Sequence, residues 1–253
     1  LIRRKLGPCF SFSYVPWGPE LPPSFPEDDA ERKKLLVKAA DLLRALLPND
    51  TAFIRFDAPW FNADATVPKL SEPFVRAGAD VQPPDTVLVD LTCTEDEILA
   101  SMKAKWRYNI RLSAKKGVVV KRLDTDGLDI FYDLYKQTAR RDKIAIHSLE
   151  YYKRLFDHAK EYKPAVQDLR LYIAEYDGEA LSALILLVRA QEATYLYGAS
   201  SDRHRNLMAP YALQWHAMQD AKHAGCIRYD LFGIPPDANP AHPMAGLYRF
   251  KTG

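Results

Sequence analysis

The chain has 253 residues, of which 47% are hydrophobic and 27% are charged, and its formal net charge is +2. This apolar content predicts a folded chain with a sizeable core and excludes intrinsic disorder. The balanced charge disfavours a nucleic-acid binder that is basic over its whole surface, although a local basic patch is compatible with it. Three widely separated cysteines without a C-x-x-C pair disfavour a disulfide framework or a thiolate zinc site and predict a reducing, cytoplasmic compartment.

The eleven glycines are spaced in a way that excludes the common nucleotide-binding motifs, because no two of them form G-x-G. No apolar run reaches the about 18 residues that a membrane-spanning helix needs, and we expect no signal peptide. The first residue is Leu rather than Met. We therefore expect the sequence to be part of a longer protein.

The first part of the chain reads as short elements separated by proline-rich loops. A strand, a helix and two further strands are predicted, in chain order, over 10–15, 29–47, 51–56 and 86–91. Thr94 and Glu97 form a capping box, which predicts that a helix begins at Glu95. That helix is expected to continue, with or without a break, to Lys116, and Gly117 ends it.

The second part of the chain has a regular order of elements, β-α-α-β-β-β-α-β. The predicted ranges are 118–122, 128–141, 149–160, 169–175, 180–190, 192–200, 210–224 and 227–232. The last two strands should be parallel, because a right-handed crossover through one helix joins them. This order is similar to that of GNAT-type acyltransferases, and the first part looks like a second copy whose front is missing.

The sequence thus predicts an α/β (α+β) fold with two GNAT-like domains, each a mixed, mostly antiparallel sheet flanked by helices. The expected domains are 1–117, incomplete and ending in a basic connecting helix, and 118–253. GNAT enzymes usually hold the pyrophosphate of coenzyme A on a [QR]-x-x-G-x-[GA] loop at a helix N-terminus. Larger residues fill both glycine positions of the corresponding loop, 203–208. We therefore expect the coenzyme A site to be closed and the acyl donor to be a different one.

Four segments resemble the FemABX family of peptidoglycan peptidyltransferases. They are Tyr-Val-Pro-Trp-Gly-Pro at 14–19, the basic stretch 102–118, Tyr-Leu-Tyr-Gly-Ala-Ser-Ser at 195–201, and the pair formed by 229–234 and 247–253. The resemblance implies an aminoacyl-tRNA donor, no coenzyme A or other cofactor, and an acceptor amine on a peptidoglycan precursor. That precursor is either lipid-linked or UDP-linked, and a peripheral contact with the inner membrane surface is compatible with the first.

The resemblance also implies roles for individual residues. Phe250 and Lys251 match the family's Phe-Lys pair, and a cation there would stabilise the oxyanion formed in aminolysis of an ester. Tyr151 matches a substrate-binding Tyr, and His147 occupies the position of a phosphate-binding Arg. The alternative interpretation of Lys251 is a solvated lysine at a helix end.

Two further sets of residues are interpreted from the pattern. Tyr195 and Tyr197 should share one face of their strand and bind the precursor, unless one of them packs in the core. Asp230 would accept the proton of the amine or, equally, make a structural hydrogen bond to backbone. No carboxylate is a convincing general base, since positioning of a neutral amine can suffice for this reaction.

A cluster of cations without interspersed acids predicts polyanion binding. Its members are Lys103, Lys105, Arg107, Arg111, Lys115, Lys116, Lys121 and Arg122. Trp106 and Tyr108 interleave these cations, as stacking platforms for bases would. A solvated helix face is the alternative. We expect no metal site, because the spacing of His216, Asp220 and His223 is more typical of a polar helix face.

Two other functions stay open at this point. One is a coenzyme A-dependent N-acyltransferase of GNAT type. The other is a non-catalytic module that binds tRNA or an anionic surface, in which Lys251 has no role.

Overall fold

The computed structural model describes residues 1–22, 24–26, 28–60, 70, 72–83, 85–161, 167–235 and 237–253. The chain forms two compact units, residues 1–83 and residues 84–253. None of the described helices is both long and apolar enough to cross a bilayer.

The described residues of the first unit form a three-stranded sheet with one long helix. Its elements are β1 (Ile2–Leu6), β2 (Phe10–Pro16), α1 (Asp29–Leu46) and β3 (Thr51–Asp57). The sheet order is β1-β2-β3, with β2 and β3 parallel. The carboxylate of Asp28 caps α1 by accepting a hydrogen bond from the Ala30 amide at 2.9 Å. The sequence predicted three of these elements and missed β1, whose central Arg-Arg-Lys run lacks the alternation of a strand.

The second unit contains a six-stranded mixed sheet. Its elements are β4 (Leu88–Asp90), α2 (Glu95–Ser101), α3 (Ala104–Lys115), β5 (Val119–Leu123), α4 (Leu128–Asp142), α5 (Leu149–Glu161), β6 (Gln167–Tyr176), β7 (Glu179–Arg189), β8 (Glu192–Ser200), α6 (Ala209–His223), β9 (Arg228–Asp230) and α7 (Ala245–Lys251). The strand order is β4-β9-β8-β7-β6-β5, and β8 and β9 form the parallel pair.

The predicted order of elements from residue 118 onward is confirmed, including the crossover through α6. The helix expected from Glu95 begins there, with both hydrogen bonds of the Thr94–Glu97 capping box present. It ends at Ser101, because Met102 and Lys103 adopt extended ψ angles before α3 begins. The mixed α/β fold class, with sheets flanked by helices, is therefore as predicted.

The sheet of the second unit has a buried cluster on each face. One cluster joins α2, α3 and α6 to the sheet through residues such as Trp106, Leu184 and Leu213. The other contains Phe131 of α4 and Tyr152 of α5. Helix α3 thus packs in the core of the second unit, which is why the compact units divide after residue 83 instead of at the predicted boundary between 117 and 118.

Strand β8 contains an irregularity that decides where its side chains point. Tyr197 pairs with Ile185 of β7, whereas Tyr195 pairs with the adjacent Leu186, so Leu196 is an extra residue in the ladder. Such a bulge reverses the alternation of side chains along the strand. In addition, the pairing between β8 and β9 ends at Thr194. From Tyr195 onward, β8 continues beside β7.

Candidate active site

Lys251 is buried at the end of α7, with 6% of its surface exposed. Its Nζ donates hydrogen bonds to the carbonyl oxygens of Phe232, at 3.1 Å, and Gly233, at 3.0 Å. The same nitrogen lies over the ring of Tyr195, 5.3 Å from its centroid. The lysine is therefore not the solvated residue that the alternative interpretation described.

The loop that follows β9 is fixed so that its carbonyls face this lysine. The amide of Leu231 donates to Val87 O, and that of Ile234 donates to Asp85 O. The amide of Phe232 donates to the carboxylate of Asp230 at 2.7 Å, and Thr86 Oγ1 donates to the same carboxylate. Phe232 itself has a left-handed φ of +60°. These amides of the loop are therefore bound to other parts of the unit, and the carbonyl groups of Phe232 and Gly233 accept hydrogen bonds from Lys251.

Asp230 thus makes the structural hydrogen bond to backbone that was one of its two predicted roles. The sequence did not point to Thr86, which lies 144 positions earlier in the chain and completes the contacts of this carboxylate. Asp230 also favours the charged form of Lys251. Burial has the larger and opposite effect, and together they lower the pKa of Lys251 to about 8.

Phe250 belongs to an aromatic cluster next to the lysine. Its ring lies 5.1 Å from that of Trp106 and 5.2 Å from that of Tyr211. The indole Nε1 of Trp106 donates to the Phe250 carbonyl at 2.8 Å. The side chain of Phe250 therefore packs its segment against α3 and α6, next to the buried Lys251.

A second group of predicted residues meets on the opposite face of the sheet. The rings of His147 and Tyr151 are stacked with their centroids 4.1 Å apart. The hydroxyl oxygens of Tyr151 and Tyr197 are 3.3 Å apart. Burial and the hydrogen bond to Tyr151 raise the pKa of Tyr197 far above that of a free phenol, so this hydroxyl is neutral at physiological pH. The structure thus brings His147, Tyr151 and Tyr197 together.

The prediction that Tyr195 and Tyr197 share one face of the strand is wrong. Tyr195 packs against the cluster that contains Trp106, and Tyr197 packs against the one that contains Tyr152. The bulge at Leu196 is the physical reason, because it places an odd number of steps between the two side chains in the ladder. No local sequence signal marks this bulge.

A cavity of about 460 Å³ lies beside the loop between β8 and α6. Residues 203–206, Met208, Tyr211 and Phe250 are among its lining residues. We expected larger residues at the two glycine positions to fill the space of the coenzyme A site. The cavity shows that space remains beside them. His204 and Met208, which line the cavity, adopt left-handed φ angles of +51° and +56°, a conformation that usually favours glycine.

The backbone donors that a pyrophosphate would need are nevertheless largely engaged. The Arg203 amide donates to Ser201 Oγ, and the amides of Leu207 and Met208 donate to His204 O and Arg205 O. Tyr211 donates to Met208 O, and Pro210 has no N–H. Pyrophosphate binding at a helix N-terminus depends on free amides. This loop therefore offers room and side-chain cations, but few free amides.

Helix α3 exposes most of the predicted cations. Lys103, Lys105, Arg111, Lys115 and Lys116 are exposed, and none of them has an ion pair within the described part of the chain. Lys121 and Arg122 differ, since they pair with Glu175 and Asp168 across β5 and β6. The free cationic surface is thus the outer face of α3 and its two ends, which we call the α3 basic face.

Two members of the predicted polyanion site, Trp106 and Arg107, are not free for that role. Trp106 is only 4% exposed and belongs to the core, so its interpretation as a stacking platform is wrong. Tyr108, at 62% exposure, is available for that purpose. Arg107 donates to the carbonyl oxygens of Ala100 and Met102 and so closes the end of α2.

The polar face of α6 forms structural contacts. Asp220 accepts hydrogen bonds from Arg170, at 2.7 Å, and from the hydroxyl of Tyr172. His223 lies 3.6 Å from a carboxylate oxygen of Glu95, and His216 lies against the ring of Tyr172. Among the described residues, no group of three or more His, Cys, Asp or Glu side chains is arranged to hold a metal ion.

The chain is an α/β protein with the fold class that the sequence resemblance implied, and Lys251 is buried within it. A profile of the FemAB family matches residues 72–166 and 159–253, which together are more than half of the chain. The chain belongs to the FemAB family.

Known proteins similar to this chain agree with that membership. The lipid II:glycine glycyltransferase of Staphylococcus epidermidis is 25% identical, over 68% of this chain and 55% of that protein. The Staphylococcus aureus protein of the same name is 23% identical, with the same coverage. This chain thus spans about half the length of the curated relatives that it matches. The crystal structure of FemX superposes with a TM-score of 0.77 at 20% identity, covering 99% of this chain and 79% of that one.

Proposed function

We propose that the protein is an aminoacyltransferase that moves an amino acid from aminoacyl-tRNA to the stem-peptide amine of a peptidoglycan precursor. Membership of the FemAB family and the names of the staphylococcal relatives support transfer to such a precursor. The observation that carries the proposal is the enclosed, hydrogen-bonded cation of Lys251, which is suited to a reaction that develops negative charge on oxygen.

In the proposed reaction, the neutral amine of the acceptor attacks the carbonyl carbon of the aminoacyl ester. A C–N bond forms and the carbonyl oxygen becomes an oxyanion, which the ammonium group of Lys251 stabilises by about 3 kcal/mol, the usual contribution of one oxyanion donor. The C–O bond to the ribose then breaks. The proton lost by the amine goes to the departing ribose hydroxyl, so an amide and a free tRNA hydroxyl are the products.

The proposal assigns the donor to the side of the sheet that carries α3 and Phe250. The α3 basic face would contact tRNA phosphates, and exposed Tyr108 would stack on an unpaired base. The cavity beside residues 203–206 would receive the aminoacylated 3′ end, with Arg203 and Arg205 near its phosphates. Its apolar wall, formed by Tyr211 and Phe250, is suited to the terminal adenine.

The proposal assigns the acceptor to Tyr151, Tyr197 and His147. The phenol hydroxyls of Tyr151 and Tyr197, 3.3 Å apart, can donate hydrogen bonds to carbonyl or phosphate oxygens. His147 stacks on Tyr151 at an exposed position, where a ring N–H can donate a hydrogen bond to a phosphate oxygen. A lipid-linked acceptor would bring the protein into peripheral contact with the inner membrane surface.

A transfer assay tests the proposal. The full-length protein is incubated with tRNA charged with radiolabelled glycine, alanine or serine, together with the lipid-linked or the UDP-linked precursor. Movement of label from tRNA to one precursor supports the proposal and identifies both substrates. Absence of transfer from every charged tRNA, with both precursors present, would contradict it.

A coenzyme A-dependent N-acyltransferase is the second candidate, because the cavity beside residues 203–206 leaves space for a ligand. The engaged amides of Leu207, Met208 and Tyr211 speak against it. Consumption of acetyl-CoA in a parallel reaction with the same precursors would favour this candidate. Two results together would identify a non-catalytic binding module. The wild-type protein would transfer no amino acid, and replacement of Lys251 would leave its affinity for tRNA unchanged.

A further inference from the structure

Tyr195 contacts Lys251 with the face of its ring, and its hydroxyl lies over the backbone of its own strand. A Cβ atom added at Gly198 would lie 1.6 Å from the Tyr195 hydroxyl oxygen and 2.5 Å from the ring carbon that carries it. The strand therefore accommodates the phenol only because residue 198 has no side chain. This arrangement orients the ring toward Lys251 instead of toward the group formed by Tyr151 and Tyr197.

The bulge at Leu196 is what makes this contact possible. Regular alternation would place Tyr195 on the face of Tyr197, among the residues of α4 and α5. The pairing between β8 and β9 ends one residue before Tyr195, at Thr194. Lys251 reaches from α7 to the loop that follows β9, so its Nζ has the Tyr195 ring on one side and two carbonyl oxygens on another.

We infer that Tyr195 is a positioning residue that acts through Lys251: its ring and the carbonyls of Phe232 and Gly233 form a cage that fixes the ammonium group and favours its charged form. An ammonium has three N–H donors, and two of them are bound to the carbonyls. The cage thus leaves one N–H for a reacting oxygen. A cation over the face of an aromatic ring is attracted by the ring's quadrupole, and this attraction holds only for the protonated amine.

The charged and titratable groups around this cage act in different directions. Asp230, at the end of β9, favours the protonated amine, whereas burial disfavours it. The loop contributes neutral carbonyls, and the contacts of neighbouring Phe250 with α3 and α6 are made by neutral Trp106 and Tyr211. The Tyr195 hydroxyl is itself neutral, since burial raises its pKa far above that of a free phenol. Removal of the Tyr195 ring therefore changes the surroundings of Lys251 without removing a charge.

This inference rests on the proposed function only for its consequence in catalysis, because the protonation of Lys251 can be measured without turnover. The full-length protein is labelled with ¹³C at the Cε of lysine, and the chemical shift of Lys251 is followed across neutral and alkaline pH. Its signal is identified by its absence in Lys251→Arg. The variants are Tyr195→Met, which removes the ring, and Tyr195→Phe, which keeps it.

We expect the midpoint of Lys251 to fall by about 0.5 to 1 pH unit in Tyr195→Met and to stay unchanged in Tyr195→Phe, given the strength of a partly buried cation–π contact. Gly198→Ala provides a second variant, since the new methyl group must displace the phenol; it should also lower the midpoint. An unchanged or raised midpoint in both Tyr195→Met and Gly198→Ala would overturn the inference.

Transfer kinetics give an independent readout. A positioning residue should alter kcat and move the alkaline limit of activity to lower pH in Tyr195→Met, with the KM of the precursor unchanged. A raised KM with an unchanged alkaline limit would instead assign Tyr195 to substrate binding and overturn the inference. Failure of the wild-type protein to transfer any amino acid would contradict the proposed function and leave the NMR titration as the decisive test of the cage.

Discussion

Tyr195 and Tyr197 are separated by one residue of β8, yet their side chains lie on opposite faces of the sheet. Tyr197 contacts Tyr151 through its hydroxyl, and Tyr195 contacts Lys251 through its ring. One bulged residue thus places Tyr195 and Tyr197 in two different groups of candidate site residues. The strand connects the acceptor side of the proposed site to the side that carries the cation.

Replacement of Lys251 by methionine should reduce transfer by about 100-fold or more, because it removes the cation expected at the oxyanion. The measurement is kcat/KM in the transfer assay, accompanied by tRNA and precursor binding. Lys34→Met is the matched control, since Lys34 lies in the first unit, is exposed and pairs with Glu31. Undiminished turnover in Lys251→Met would refute the role given to this residue.

Activity should decline as pH rises through about 8, where the buried ammonium of Lys251 loses its proton. The direction follows from the lowered pKa, because the form needed for catalysis is the protonated one and it is present below that pH. Lys251→Arg keeps a charge at all accessible pH values. The activity of Lys251→Arg, though lower than that of the wild type, should not decline as pH rises through this range. If it declines as the wild type does, the loss of activity is caused by the titration of a different group.

Tyr151→Phe should raise the KM of the precursor several-fold with little change in kcat, because it removes one hydroxyl of the Tyr151–Tyr197 pair and leaves the ring stacked on His147. The loss of a neutral hydrogen bond corresponds to about 1 kcal/mol. Tyr132→Phe on α4 is the control, since the contact of Lys136 with that ring does not need the hydroxyl. Equal KM values in Tyr151→Phe and the wild type would exclude contact with the precursor.

The α3 basic face should determine the salt dependence of tRNA binding. Replacing Lys105, Arg111 and Lys115 by glutamine should weaken binding and reduce the slope of log K against log salt by about 2 to 3, if each contacts one phosphate. Lys121→Gln is the control, since Lys121 is paired with Glu175. A slope unaltered by the triple replacement would locate tRNA binding elsewhere.

Trp106→Ala should lower the free energy of unfolding by about 3 to 5 kcal/mol, the usual cost of deleting a buried aromatic side chain. The indole is 4% exposed and holds the Phe250 carbonyl. Tyr108→Ala, two positions away and 62% exposed, should change it by less than about 0.5 kcal/mol. Denaturant unfolding measures both. Similar values for the two variants would place Trp106 at the surface.

The order of elements in the second unit could be predicted because each signal is local. Thr94 and Glu97 mark the start of α2 within four residues, and Pro210 and Gly225 bracket α6. The parallel pairing of β8 with β9 follows from the crossover rule once α6 is known. The break between α2 and α3 has only a weak signal in the sequence, because Met102 and Lys103 are helix-forming residues.

The arrangement of the site could be predicted only in part. Lys251, Tyr151 and His147 were found through a resemblance, and their neighbours depend on contacts between distant positions. Trp106 illustrates the difficulty: an aromatic residue among cations has the composition of a stacking platform, but helical periodicity places it on the inner face of α3 with Asn109 and Ile110. The bulge in β8 depends on pairing geometry with β7 and so leaves no local trace.

The hydrogen bond from the Trp106 indole to the Phe250 carbonyl has a mechanical consequence. Trp106 stands on the inner side of the helix whose outer side carries the free cations, and Phe250 is covalently joined to Lys251. A helix with its side chains is about 10 to 12 Å thick. The backbone next to the ammonium group is thus tied through one hydrogen bond to the inner side of α3, so a displacement of that helix would act directly on the segment that carries Lys251.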